Sequence, residues 1–141
     1  NNWLNTKIGQ PVINVSVHNN IWTNTKFENA FIGLIGKYAA YIDRSEYEYK
    51  LVNSKKKVCL KLKTGQIADL FIKLKQKNYI REEIELTSIA FYITQTFLVP
   101  KRGSGGFHEI DKELTYKYLT DTNKREKVRN KVPVESIPTI E

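Results

Sequence analysis

Methionine is absent from this 141-residue chain, and cysteine occurs once, as Cys59. A chain without methionine has no initiator residue, so a processed protein or a fragment of a longer one is expected. One cysteine excludes an internal disulfide framework and fits a reducing, cytoplasmic compartment. The two histidines, His18 and His108, are far apart, and no ligand pair has metal-site spacing. No metal and no cofactor are therefore expected. Long apolar runs are missing too: nothing approaches the ~18 residues of a membrane span. The first twenty residues are polar and mixed, without a signal-peptide pattern. No membrane partner is expected. Acidic residues are the last shortage, 15 against 23 Lys and Arg, which leaves a net charge of +8 and a pI near 9.5. Such a balance favours polyanionic partners.

The positive charge is concentrated. Between Lys50 and Arg81 lie Lys50, Lys55, Lys56, Lys57, Lys61, Lys63, Lys73, Lys75, Lys77 and Arg81, opposed only by Asp69. Apolar residues interleave the tract (Val58, Leu60 and Leu62, then Ile67, Leu70, Phe71 and Leu74), so it reads as a folded surface and not as a loose basic tail. A phosphate backbone is the usual partner of such a face, because binding releases condensed counterions. The plainer reading is a solvated face that keeps a small protein in solution. Charge alone leaves both open.

The length fits one domain, and 40% hydrophobic residues suffice for a core. Residues 1–23, Asn-rich with Gly9 and Pro11, read as an extended N-terminal arm. Residues 24–121 read as a helical, DNA-binding-like domain. Residues 122–141 read as a basic and then Pro-containing C-terminal tail. Within the domain, Thr25 to Glu28 has the form of a capping box opening a helix over 25–42, whose stripe is Phe27, Ala30, Phe31, Leu34, Ile35, Tyr38 and Ile42. Residues 57–63 partly alternate like a strand, with Lys outward and Cys59 as a small buried hydrophobe. Thr64 is a candidate cap for a helix over 65–77. A third helix, about 85–97, carries Ile89, Ala90, Ile93 and Phe97 on one face. Two short apolar runs, Leu98-Val99 and Phe107 to Ile110, then flank the glycine-rich stretch 103–106, which reads as a hairpin or a flexible loop. Asp111 is a candidate cap for a fourth helix beginning at 112.

The order helix, strand, helix, helix, hairpin is that of a winged helix. The expected fold is mainly α with a small β element, a helix-turn-helix or winged-helix-like single domain. In that arrangement the helix over 85–97 enters a major groove, and Thr87, Ser88, Tyr92, Thr94 and Gln95 are its candidate base-reading residues. Candidate phosphate contacts are Lys55, Lys56, Lys57, Lys61 and Lys63 from the basic tract, with Lys101 and Arg102 on the wing beside His108. Lys101 and Arg102 precede the glycines, so a phosphate loop, which needs its Lys after them and inside a helix, is rejected. The acidic groups Glu82, Glu83, Glu85 and Asp43, Glu46, Glu48 read as solvated connectors. No credible catalytic set is present, so no enzyme is expected.

One resemblance adds to this. The segments Lys63 to Leu70, Leu74 to Ile80, Ile89 to Phe97 and Phe107 to Ile110 resemble the RteC family, small regulators carried on conjugative transposons of Bacteroidetes. The likeness covers about residues 60–119, under half of the chain. It departs at the final helix, where Lys and Arg are scattered and do not form an Arg-rich run, and no Trp precedes Thr64. It implies a DNA-binding regulator with a helix-turn-helix-like part, and it transfers no catalytic residue. The expected function is thus a DNA-binding regulator or accessory factor of a mobile genetic element. Its expected partner is double-stranded DNA, and a homodimer is the candidate assembly. The alternative is a protein–protein module of a bacterial mobile element without nucleic-acid contact, docking through the Ile89, Ile93, Phe97 face.

Overall fold

The computed structural model describes residues 21–40, 57–103 and 105–135. Most of the expected N-terminal arm, and Lys55 and Lys56 of the basic tract, lie outside the described residues. The first helix, α1, spans Thr25–Ile35. Its cap is Asn24, whose side chain accepts the Lys26 N–H at 2.8 Å, so Thr25 is the first helical residue and not the cap. Asn is among the strongest N-caps, and its extended backbone here aims Oδ1 at the free first-turn donors. The helix stops earlier than its apolar stripe suggests. A 3₁₀ turn, Gly36–Tyr38, ends it, and Ala39 pairs with Leu60.

Strand β1, Val58–Cys59, leads into helix α2, Thr64–Gln76. Thr64 is again inside the helix; the flanking residue is Lys63, whose N–H donates to Gln66 Oε1 at 2.7 Å. After α2 the chain passes through Asn78 in the left-handed region, φ 69°, where Asn is one of the few non-glycine residues tolerated. Helix α3, Leu86–Thr96, runs directly into strand β2, Phe97–Pro100. Strand β3, Phe107–Glu109, returns beside it. The sheet order is β1-β2-β3. β1 pairs with β2 in parallel, Val58 opposite Phe97, and β2 pairs with β3 antiparallel, Val99 opposite His108. The hairpin tip holds Gly103, Gly105 and Gly106 at φ 76°, 69° and 79°, values that a side chain would strain. Of the two readings, hairpin or flexible loop, the antiparallel pairing shows the hairpin.

Asp111 caps helix α4, Lys112–Thr120, by accepting the Glu113 N–H at 2.9 Å. A short helix α5, Thr122–Glu126, follows. The expected C-terminal tail is corrected over its described part. Arg125 donates to the carbonyls of Tyr118 and Leu119 at 2.9 and 2.8 Å, which places a cation at the negative end of α4. Val132 and Val134 are buried in the core. The basic residues after 121 concealed this role because their apolar partners, two valines, are sparse.

An aromatic cluster sits within a largely aliphatic core. Trp22, Phe31, Phe71, Tyr92 and Phe97 form one cluster, with Trp22 and Phe31 centroids 4.7 Å apart and Phe71 and Tyr92 5.7 Å apart. Such contacts add to the burial of large side chains. The arm residue Trp22 is fixed there by backbone pairing, Thr23 N–H to Tyr79 O at 2.9 Å and Arg81 N–H to Ile21 O at 2.8 Å. The described architecture is a set of packed helices with a small three-stranded sheet.

Candidate nucleic-acid interface

Helix α2 starts at the surface with its positive dipole end, where the first backbone N–H groups have no partner within the helix. That end is held firmly. The Gln66 side-chain amide, besides receiving Lys63, donates to Asn130 O at 2.7 Å and Arg129 O at 3.2 Å. Gly65 lets the C-terminal segment come close: a Cβ there would sit 2.9 Å from Val128 Cγ2 and 3.0 Å from the Tyr118 ring. Across from this end lies the β2–β3 hairpin. Between them is a cavity of about 540 Å³. Lys61 and Lys63 line it from the α2 side, Lys101, Arg102 and His108 from the hairpin, and Leu114 and Tyr118 from α4. Among the described residues no Asp or Glu lines it. Four cationic side chains and an imidazole thus face one space, together with a helix N-terminus. The arrangement suits an anion with oxygens on several sides.

The basic tract is not one face. The length of α2, about 20 Å at 1.5 Å per residue, separates its two ends. At the far end the cations are engaged within the chain. Lys73 pairs with Asp69 at 3.0 Å, Lys75 donates to Glu82 O and Ile84 O at 3.2 and 3.1 Å, and Arg81 pairs with Glu83 at 3.3 Å. Lys57 is also committed. Its ammonium meets Glu109 at 2.8 Å and ties the β1 edge to β3. The hydrogen bond and charge of Lys57 hold the Glu109 carboxyl below its ordinary value. Of the phosphate candidates, Lys61, Lys63, Lys101 and Arg102 come together and are exposed. Lys57 is a strut and joins them only by sequence. Cys59 is half-buried and free.

Two candidate base readers are corrected. Tyr92 lies in the aromatic cluster, 4% exposed, and Thr94 is 7% exposed with its hydroxyl donating to Phe91 O at 3.0 Å. Burial, with the charge of Glu28 second, pushes the Tyr92 hydroxyl far above the ordinary phenol range. The exposed strip of α3 is narrow, Thr87, Ser88, Phe91 and Gln95, because the helix is packed on both flanks. Trp22 covers one side, and α4 covers the other. The docking face of the alternative reading is corrected as well: Ile89, Ile93 and Phe97 are fully buried.

A second cavity, about 560 Å³, lies between α3 and α4 and is lined by Thr87, Ala90, Lys112, Glu113, Tyr116 and Lys117. Sequence reading missed it, although Tyr116 off the apolar stripe of α4 was a visible signal. Among the described residues no group of three His, Cys, Asp or Glu could hold a metal ion, and no helix is long and apolar enough to cross a membrane. Comparison of the chain with family models, curated proteins and solved structures gives no match.

Proposed function

We propose that this chain binds double-stranded DNA as a regulator or accessory factor, gripping the phosphate backbone in the groove between the start of α2 and the β2–β3 hairpin. The observation that carries the reading is the convergence of Lys61, Lys63, Lys101 and Arg102, with His108, on a cavity that no carboxylate lines among the described residues. Cations from two segments distant in sequence face the same space, which a generally solvated surface does not require. Phosphate contacts of this kind position a protein on duplex without reading its sequence.

The order of elements supports a winged-helix-like use of the fold. The hairpin with Lys101 and Arg102 acts as the wing, and α3 is the helix nearest in role to a recognition helix. Its exposed polar residues, Thr87, Ser88 and Gln95, face the bases in this reading, with Gln95 suited to adenine. The mobile-element setting rests on the RteC resemblance of residues 60–119. No catalytic step is assigned, and a homodimer on a two-fold site is the corresponding assembly. The test is fluorescence anisotropy with labelled duplex at low salt. Saturable binding that weakens steeply as salt rises supports the reading. Absence of binding at low salt removes it.

A further inference from the structure

We infer that the groove between α3 and α4 docks an acidic amphipathic helix of a partner protein, on a surface separate from the basic groove. Among the described residues two large hydrophobic side chains are exposed, Phe91 at 42% and Tyr116 at 40%. Tyr116 lines this groove. Phe91 is not a lining residue but adjoins one, since the Lys112 ammonium lies 5.5 Å from its ring centroid. Ala90, fully buried, provides a small floor between two helices. The volume, about 560 Å³, lies within the range of about 300–1,000 Å³ typical of sites that engulf a ligand group. A trough between two packed helices is the shape that receives a third, read through apolar anchors at helical spacing.

Two lysines, Lys112 and Lys117, against one carboxylate, Glu113, give the lining a net positive charge that favours an acidic occupant. Among the described residues neither lysine has a carboxylate in ion-pair contact. A single-stranded nucleic acid is disfavoured, because Lys112 already covers a face of Phe91 on which a base would stack.

The test uses the full chain and a panel of fluorescein-labelled helical peptides of roughly fifteen residues, long enough for an isolated helix. Each carries Leu, Phe or Trp anchors on one face and Asp or Glu beside them. Controls are the same peptides with Lys for every acid, and a labelled single-stranded oligonucleotide. At least one acidic peptide is expected to saturate, with its Lys counterpart at least about tenfold weaker. Tyr116→Ser with Lys117→Glu should weaken that peptide by about tenfold or more and leave the melting temperature and duplex binding unchanged. Lys61→Glu with Lys63→Glu should leave peptide binding intact. The inference is overturned if no peptide saturates, or if the loss follows the Lys61 and Lys63 substitutions. It is equally overturned if Tyr116→Ser abolishes oligonucleotide binding and spares the peptide, or dissociates a dimer of the chain. Because duplex binding is read separately, failure here and failure of the DNA reading are distinguishable.

Discussion

Helix α4 separates two cavities of nearly equal size, about 540 and 560 Å³, whose walls are opposite in kind. On one flank Leu114 and Tyr118 back a space ringed by Lys61, Lys63, Lys101, Arg102 and His108. On the other, Lys112, Glu113, the exposed Tyr116 and Lys117 face Thr87 and Ala90. The first is assembled from loops and a helix start, where backbone N–H groups add to the cationic side chains. The second lies between two packed helices, and its lysines and Tyr116 decide what fits. Equal volume therefore implies nothing about equal ligand. A polyanion that presents phosphates in several directions suits the first, and an apolar anchor with flanking carboxylates suits the second.

The largest effect that would break the comparison comes from reversing the basic wall. Lys61→Glu, Lys63→Glu, Lys101→Glu and Arg102→Glu together should lower duplex affinity by more than about 100-fold, near 2.7 kcal/mol, and leave acidic-peptide binding unchanged. All four side chains are exposed, so thermal unfolding should barely move. A parallel loss in both assays would merge the two grooves into one electrostatic surface.

Gly65→Ala comes next. The new methyl meets Val128 and the Tyr118 ring at 2.9–3.0 Å. Overpacking of this kind costs about 1–3 kcal/mol, partly offset by the better helix propensity of Ala, at most about 1 kcal/mol. A net loss of roughly 1 kcal/mol in denaturant melts is expected, together with weaker duplex binding, because Tyr118 is a wall of the basic groove. A neutral result would mean that the C-terminal segment is not seated on α2.

Gln95 and Thr94 sharpen the roles within α3. Gln95→Ala should leave stability within about 0.5 kcal/mol and relax preference at one base pair by about 1–3 kcal/mol. Thr94→Ala should lower stability, since its hydroxyl is buried and bonded to Phe91 O, and leave base preference untouched. Thermal melts and a panel of single-base-pair variants separate the two patterns.

The smallest effect concerns the strut between β1 and β3. Lys57 lowers the Glu109 carboxyl from its ordinary 4.5. A depressed carboxylate contributes stability above the unfolded-state value, and that contribution is lost as pH falls through the folded-state value. Glu109→Gln should therefore reduce the melting temperature slightly at neutral pH, and the difference from wild type should vanish in acid. The exposed carboxylate limits the effect through solvent screening.

Much of this fold is legible in the sequence, and the failures have a common cause. The stripe Ile67, Leu70, Phe71, Leu74, the Asp111 cap and the glycine-rich hairpin tip follow local rules, and each appears where those rules put it. Tyr92 and Thr94 were misjudged because periodicity gives the direction of a buried face but not its width. That width depends on Trp22 and α4, which approach α3 from opposite sides. The tract from Lys50 to Arg81 looked continuous because charge along a sequence does not show which end of a helix each residue reaches. Asp69, Glu83 and the carbonyls of Glu82 and Ile84 absorb the far end. Lys101 and Arg102 joined Lys61 and Lys63 through chain topology, which no spacing rule expresses. The groove between α3 and α4 was missed for the same reason, since its two walls lie on helices separated by the hairpin.

The most direct measurement is duplex affinity across a salt series for the wild type and for a variant with Lys61, Lys63, Lys101 and Arg102 all changed to Gln. Each phosphate neutralised contributes about 0.9 to the slope of log affinity against log salt. If all four contact phosphate, the variant's slope should be shallower by about 3–4. An unchanged slope, or no duplex binding by the wild type at low salt, would contradict the assignment of the α2–hairpin groove to the DNA backbone.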